Sequence, residues 1–408
     1  MICAMGPWAN MGQWKDNAIR FDGALMAVPY VDYFEHTMDM EFLRKTAYPF
    51  LKPQAEFYAD YIVLNQNGTY DVPLACAQEG CGPRQMHELG SFVQFNPTVD
   101  LAFAEWTMRT AAAWAKLLDV DAEMQEDFLH KASKLSPYPI TVDPAFHNRV
   151  VWSEAKVQRW AGDPNPTTMD AYCKEAILPN GEPCRDSTPF HANYMYPIVQ
   201  FAPMHPTGLV NLDSDAETLK LARQTVWGQN FQSKWAPVNG LCLAWPSAAK
   251  LVDGQAVPTD EFGTTTLLNE MESALNRTMQ PNLWPSMDGG GVEQVGATQA
   301  INDLLLQSVN GKLAFFPGWE PGATVHFTNI RTRGAFLVSA RRTAAGELQD
   351  VQIRSEVGGP CMLQRQASYE SRKPTVKAAD TGLSVAVRCT TSECTFDTVA
   401  QASYEVQF

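Results

Sequence analysis

Two carboxylates in a glycine-rich turn are the residues whose types and spacing point most directly to chemistry. The stretch reads PNLWPSMDGGGVEQVGATQAINDLLLQSVNGKLAFFPGW over 281–319, with Asp288 and Glu293 on either side of Gly289–Gly291. Carboxylates positioned this way suit proton transfer. Glycines let a backbone come close to a ligand and aim one side chain at it. A phosphate loop is a poorer reading, because no Lys-Ser/Thr follows and no parallel strand precedes. Serine nucleophile chemistry has no support, since no GxSxG elbow occurs. His and acidic residues are too dispersed for a zinc site. No metal or cofactor is expected.

The elements that must hold such a turn are mostly helices. Apolar residues recur at helical spacing from Asn17 to about Thr37 and from Glu41 to about Val63, and Asn65–Gly68 then closes the pair as a turn. TVDLAFAEWTMRTAAAWAKLL, 98–118, is apolar almost all round, with Glu105, Arg109 and Lys116 on one narrow stripe. Such a helix packs against neighbours on both sides. Glu123–Leu135 is shorter and amphipathic. Further helices are expected at Ala216–Asn230, with Asp213 or Ser214 as its N-cap, and at Asn239–Lys250, Thr264–Met279 and Gln299–Ser308. Between Ser136 and Pro206 the chain is irregular and Pro-rich, as functional loop systems are. After Gly311 the period changes to two, through AFFPGW, ATVHFTNI, AFLVSARR, LQDVQIRSEV and LSVAVRCTT. The domain division expected is 1–311, helical, and 312–408, a smaller β-sandwich-like domain.

Bulk composition narrows the partners. The 408 residues are 45% apolar and 19% charged, with net charge −14. An acidic surface without basic clusters excludes nucleic acid as a partner. No window approaches the ~18 uninterrupted apolar residues of a membrane helix, and the first residues lack the pattern of a signal peptide. The nine cysteines are scattered; Cys173/Cys184 and Cys389/Cys394 are close enough in sequence to pair, with reduced structural thiols as the plainer expectation. Asn67-Gly-Thr and Asn276-Arg-Thr would be glycosylation sequons in an exported protein.

Several segments together resemble glycoside hydrolase family 95, the α-L-fucosidases. They include TVWGQNF…SKWAPVNGLCLAWPSAAKL, GATQAINDLLLQSVNGKLAFFPGW, FTNIRTRGAFLVSA and, earlier, MDMEFLRKTAYPFLKPQAEFYADYIV, in colinear order over nearly the whole chain. The resemblance implies an (α/α)6 toroid followed by a β domain, and a glycan as substrate. It implies inversion, in which one carboxylic acid protonates the leaving oxygen while a carboxylate base activates water from about 6.5–9.5 Å away. By resemblance, the acid falls in YDVPLACAQEGCG, at Glu79, where apolar neighbours can raise a carboxyl's pKa. The family's base is an Asp in D-G-N-F-G-G before the LLLQS helix. Gapless alignment puts Val292 at that position, one residue before Glu293, whereas Asp288 keeps the Asp-Gly pair only with an insertion. Glu293 is preferred to Asp288, and the motif itself is not intact.

Other candidates lie around this pair. His191, in STPFHANYMYPIV, matches a loop of sugar-facing histidines in the family, or is structural; His205 before Pro206 reads as turn structure. Trp14, Trp235, Trp245 and Trp284 are candidates to stack on sugar rings, with Trp235 and Trp284 first because they flank loops. Asn239, in WAPVNG, is a hydroxyl-binding residue or a helix N-cap. The family's N-terminal β-sandwich and first barrel helices have no counterpart, so the toroid is expected to be incomplete and Met1 to start a fragment. A terminal α-L-fucosyl or α-L-galactosyl residue is the expected substrate. The competing expectations are a carbohydrate-binding relative without catalysis and a hydrolase or phosphorylase for another sugar. Gln294 is the nearest amide for a phosphate and no Lys or Arg is near, which disfavours the phosphorylase.

Overall fold

A computed structural model describes residues 20–73, 75, 92–143, 148–155, 157–160, 199–233, 241–252, 266–281, 296–319, 322–365 and 373–408. The chain forms two compact units. The first comprises Met1–Pro29, Glu41–Ser247 and Ala274–Gly296; the second comprises Tyr30–Met40, Ala248–Ser273 and Ala297–Phe408. Two of the division points fall next to prolines inside helices, Pro29 in α1 (Asp22–Thr37) and Pro246 in α6 (Leu241–Leu251). Proline removes a rung from the helical ladder there. No helix among the described residues is long and apolar enough to cross a membrane.

The first unit is helical. A short turn, Met40–Phe42, and a π-helical turn, Leu43–Ala47, lead into α2 (Tyr48–Tyr61). α3 spans Thr98–Leu118, the bounds read from the sequence, and fourteen of its side chains are buried. Phe103 shows why: its ring stacks on Phe21 at 5.9 Å and meets Trp106 edge-on. α3 ends at Asp119, φ +57°, where Val120 N–H reaches the Ala115 carbonyl at 3.0 Å, a left-handed C-terminal cap. α4 (Ala122–Ser133) follows. Its leading Asp121 accepts hydrogen bonds from Tyr48 Oη at 2.6 Å and Lys52 Nζ at 2.9 Å, which ties the α3–α4 turn to α2. α5 runs over Ala216–Ser233. Its N-cap is Asp215 rather than the expected Asp213 or Ser214: Asp215 Oδ1 accepts the N–H groups of Glu217 and Thr218 at 3.0 and 2.9 Å.

Short strands connect these helices. β1 (Val63–Leu64) pairs antiparallel with β2 (Tyr70–Asp71), β3 (Phe92–Phe95) with β6 (Val157–Trp160), and β4 (Ile140–Asp143) with β5 (Arg149–Trp152). The described part of the Pro-rich stretch after Ser136 therefore holds hairpin structure that its composition hid.

The second unit contains a β-sandwich. Its sheets have the orders β14-β13-β17-β11-β10-β9 and β15-β16-β12-β8-β7. In chain order these strands are β7 (Leu306–Val309), β8 (Lys312–Phe315), β9 (Val325–Thr332), β10 (Phe336–Arg342), β11 (Leu348–Ser355), β12 (Gly359–Gln364), β13 (Thr375–Ala378), β14 (Ser384–Val385), β15 (Arg388–Cys389), β16 (Glu393–Thr398) and β17 (Ser403–Gln407). Alternate residues of both sheets, such as Val338, Ile353, Leu363 and Phe396, meet in one buried cluster. α7 (Leu267–Thr278) and α8 (Gly296–Leu305) precede it in sequence. The helix expected over Gln299–Ser308 gives way at Leu306 to β7. Asn310 and Gly311, both at positive φ, turn the chain back so that Leu306–Val309 pairs with Lys312–Phe315.

Within this unit Lys250 and Asp303 form a pair at 3.1 Å, both well buried, and Gln307 donates to the Ala249 carbonyl at 2.9 Å. The last turns of α1 bind the β9–β10 turn, with Gly334 N–H on the Glu35 carbonyl at 2.8 Å and Arg333 Nε 3.0 Å from the Glu35 carboxylate. Cys389 and Cys394 face one another across β15 and β16 and form a disulfide, where reduced thiols were expected. Directly opposed positions on neighbouring antiparallel strands bring their Cβ atoms close enough for the bond. Cys173 and Cys184 lie outside the described residues.

Candidate active site

The loop that carries the candidate acid has a well-defined root. After α2, the turn at Asn65–Thr69 is held by side chains: Asn65 Oδ1 accepts Asn67 N–H at 2.7 Å, and Asn67 Oδ1 accepts Thr69 N–H at 2.9 Å. Gly68, at φ +85°, completes it. The turn delivers Asp71, which is buried at the end of β2. Its carboxylate accepts Asn65 Nδ2 at 2.8 Å, Asn96 Nδ2 at 2.7 Å and the Ser136 hydroxyl. Three donors are what a buried carboxylate needs to stay inside.

Asn96 then closes the loop. Its Oδ1 accepts Val72 N–H at 2.7 Å, while its own N–H donates to the Val72 carbonyl at 3.0 Å. Residues 72 and 96, the two ends of the segment that contains Glu79, are bonded directly to each other. Asn96 sits at φ +48°, a conformation that Asn tolerates better than most residues. Tyr61 Oη adds a bond to the Pro73 carbonyl at 2.9 Å.

The N-terminus of α3 lies beside this clamp. Thr98 N–H donates to the Glu154 carbonyl at 2.8 Å and Thr98 Oγ1 to the Ser153 carbonyl at 2.7 Å, which fixes the chain just after β5 to the first turn of α3. Glu154 is fully buried there. Asp100, in the same turn, is also fully buried; Tyr58 Oη donates to its Oδ1 at 2.9 Å, and its Oδ2 has no hydrogen-bond partner. Burial pushes the Asp100 carboxyl up to about 7, against the opposing pull of the Tyr58 hydroxyl and of Arg20. Asp100 thus stands buried in the first turn of α3, four residues after the Asn96 clamp.

Glu79, Glu293, Asp288, His191, Asn239, Trp235 and Trp284, the residues expected to bind and act, lie outside the described residues, as does Trp14. Trp245 is fully buried in α6 and serves as core rather than as a stacking surface. His205 precedes a cis-proline in a turn after the 3-10 segment Val199–Phe201, in keeping with its reading as turn structure. Sequence reasoning passed over Asp71, Asn96, Asp100 and Glu154. Asp100 left one signal: it is the lone acid in the first turn of a helix that is otherwise apolar.

Residues 4–147 match the family model of the glycosyl hydrolase family 95 catalytic domain.

The matched segment takes in α1 to α4, the clamp and the Glu79 loop. No curated protein matches the chain. Among solved structures, one described as a kojibiose phosphorylase from the human microbiome aligns at 9% identity and TM-score 0.42, over 84% of this chain and 42% of its own. An α-L-rhamnosidase of Streptomyces avermitilis, solved with L-rhamnose, aligns at 11% identity and TM-score 0.43, over 98% and 34%. A β-L-arabinofuranosidase of family 127 from Geobacillus stearothermophilus aligns at 9% identity and TM-score 0.27, over 94% and 53%. The chain thus spans less than two thirds of the length of each. It pairs a helical segment that matches the family 95 model with a β-rich C-terminal region.

Proposed function

We propose that the chain acts in the hydrolysis of a terminal α-L-fucosyl or α-L-galactosyl residue from a glycan, on an incomplete (α/α)6 toroid and by inversion. The observation that carries this reading is the family 95 match across the segment that contains Glu79. In the reaction, Glu79 gives its proton to the glycosidic oxygen as the bond from that oxygen to the anomeric carbon breaks. A water attacks the same carbon from the opposite face and loses its proton to Glu293 or Asp288. The bonds between Val72 and Asn96 hold the two ends of the segment that contains Glu79 together. His191, Asn239, Trp235 and Trp284 would bind and stack on the sugar.

One observation favours a second reading. Val292 stands where the family has its base, which fits a carbohydrate-binding relative without catalysis. Sugar release from a panel of nitrophenyl glycosides and fucosylated oligosaccharides separates the two, using the chain and the longest product of its gene. Release that falls sharply in Glu293→Gln but not in Asp288→Asn assigns Glu293 as the base, and the reverse assigns Asp288. Retained saccharide binding with no release by any form would replace the hydrolase with the binding relative.

A further inference from the structure

The turn between β1 and β2 carries an amide that neither the clamp nor the proposed reaction uses. Asn67, Gly68 and Thr69 at its tip form Asn-X-Thr, the acceptor sequence for an N-linked glycan. The last pair of the β1–β2 ladder, Leu64 with Tyr70, holds the tip at the end of a hairpin. Asn67 is exposed, and a Cβ built on Gly68 would meet nothing within 4 Å, so the tip has room around it.

The hydrogen bonds of Asn67 spare its side-chain nitrogen. Its N–H donates to Asn65 Oδ1 at 2.7 Å, and its Oδ1 accepts Thr69 N–H at 2.9 Å and Thr69 Oγ1 at 2.8 Å. Among the described residues Nδ2 has no partner. A substituent on Nδ2 therefore removes none of these bonds, since the amide keeps its oxygen. The other acceptor sequence, Asn276-Arg277-Thr278, differs: it lies at the end of α7, where Thr278 Oγ1 donates to the Ala274 carbonyl at 2.8 Å.

A separate observation bears on the compartment. Cys389 and Cys394 are joined in a disulfide although Cys389 is exposed to solvent. Disulfides persist in the secretory lumen and outside the cell and are rare in the reducing cytosol. N-linked glycans are added and kept in those same oxidising places.

We propose that Asn67 is a glycosylation site of the exported protein. The donor is a polyprenyl-pyrophosphate-linked oligosaccharide, used by an oligosaccharyltransferase. The Asn67 Nδ2–C1 bond to the first sugar forms as the C1–oxygen bond to pyrophosphate breaks; the pyrophosphate leaves with the electron pair and the amide gives up one proton. This glycan is a bulky covalent group on the chain's own surface and takes no part in the hydrolysis proposed above.

Peptide mass spectrometry of the protein isolated from its own cells tests this. One aliquot of the digest is treated with a peptide-N-glycosidase in heavy-oxygen water and a second is kept in the same water without the enzyme. The expected result is aspartate with one heavy oxygen at position 67 in the treated aliquot alone, and sugar fragment ions from the same peptide before treatment. In the full product of the gene expressed in those cells, Asn67→Gln and Thr69→Ala should each lose the glycosidase-sensitive gel shift of one glycan, and Thr69→Ser should keep it. An unmodified Asn67 peptide, or a label found at Asn276 and not at Asn67, would overturn the proposal. Equal heavy oxygen in both aliquots would also overturn it, because an Asn-Gly pair that deamidates by itself would then account for the change.

Discussion

Replacement of Asn96 by Ala removes the clamp at the root of the Glu79 loop while leaving every neighbouring side chain in place. Two interactions go: the Asn96 Nδ2 bond to buried Asp71 and the acceptor for Val72 N–H. A donor lost to a buried carboxylate costs about 1.5–3 kcal/mol, and a buried N–H left unsatisfied costs about 1–3 kcal/mol. Ala at φ +48° adds roughly 1 kcal/mol of backbone strain. Only the backbone bond from residue 96 to the Val72 carbonyl survives. The expected total is about 3.5–7 kcal/mol, large against a typical stability of roughly 5–15 kcal/mol. Denaturant unfolding read by tryptophan fluorescence measures it, and limited proteolysis reads the loop directly, with faster cleavage between residues 73 and 95 in the variant. Asn96→Gly avoids the φ strain and should be milder by about 1 kcal/mol. Asn96→Asp sets a second carboxylate against Asp71, so its cost should be largest near neutral pH and shrink on acidification. A loss of under about 1 kcal/mol for Asn96→Ala, with unchanged proteolysis, would refute the reasoning.

Three further outcomes follow from buried groups. Asp100 keeps a proton to about 7 that the unfolded chain releases near its ordinary carboxyl pKa, so it weakens the fold progressively as pH rises from about 4 to about 7. Asp100→Asn should flatten that decline, by roughly 2–4 kcal/mol at pH 8, in unfolding midpoints followed across pH; an unchanged slope would count against it. Asp303→Ala strands buried Lys250 and should cost about 3–5 kcal/mol, most of it recovered in Lys250→Met/Asp303→Leu, as thermal unfolding would show. Ile353→Ala, at a fully buried position in the sandwich, should cost about 2–5 kcal/mol, and Ile353→Val under half of that.

What the sequence made legible follows how far each signal reaches along the chain. α3 was readable end to end because Thr98–Leu118 is apolar almost all round, and the turn at Asn65–Gly68 because its chemistry is local. Strands β9, β10 and β11 declared themselves by alternation, whereas β12, β13 and β16 did not. GPCMLQ opens on glycine and proline, and TVKA is too short for a period to show. Leu306 was assigned to a helix because a run of leucines fits either element until its pairing partner is known. The clamp was the least legible feature, since Asp71 and Asn96 stand 25 residues apart and are joined only by folding. Asn65 and Gly68 announced the turn, but nothing local to Asn96 announced its hold on Asp71. The family resemblance pointed to Glu79, and the structure shows what restrains the ends of the loop on which it lies.

The central claim, that Glu79 is the acid of an inverting glycosidase, is tested most directly by proton NMR of an α-L-fucoside during turnover. The account predicts that the β-anomer of free fucose accumulates first with wild type, and that Glu79→Gln slows its release by about 10²–10⁴-fold without loss of saccharide binding. Release of the α-anomer first, or equal rates for wild type and Glu79→Gln, would contradict it.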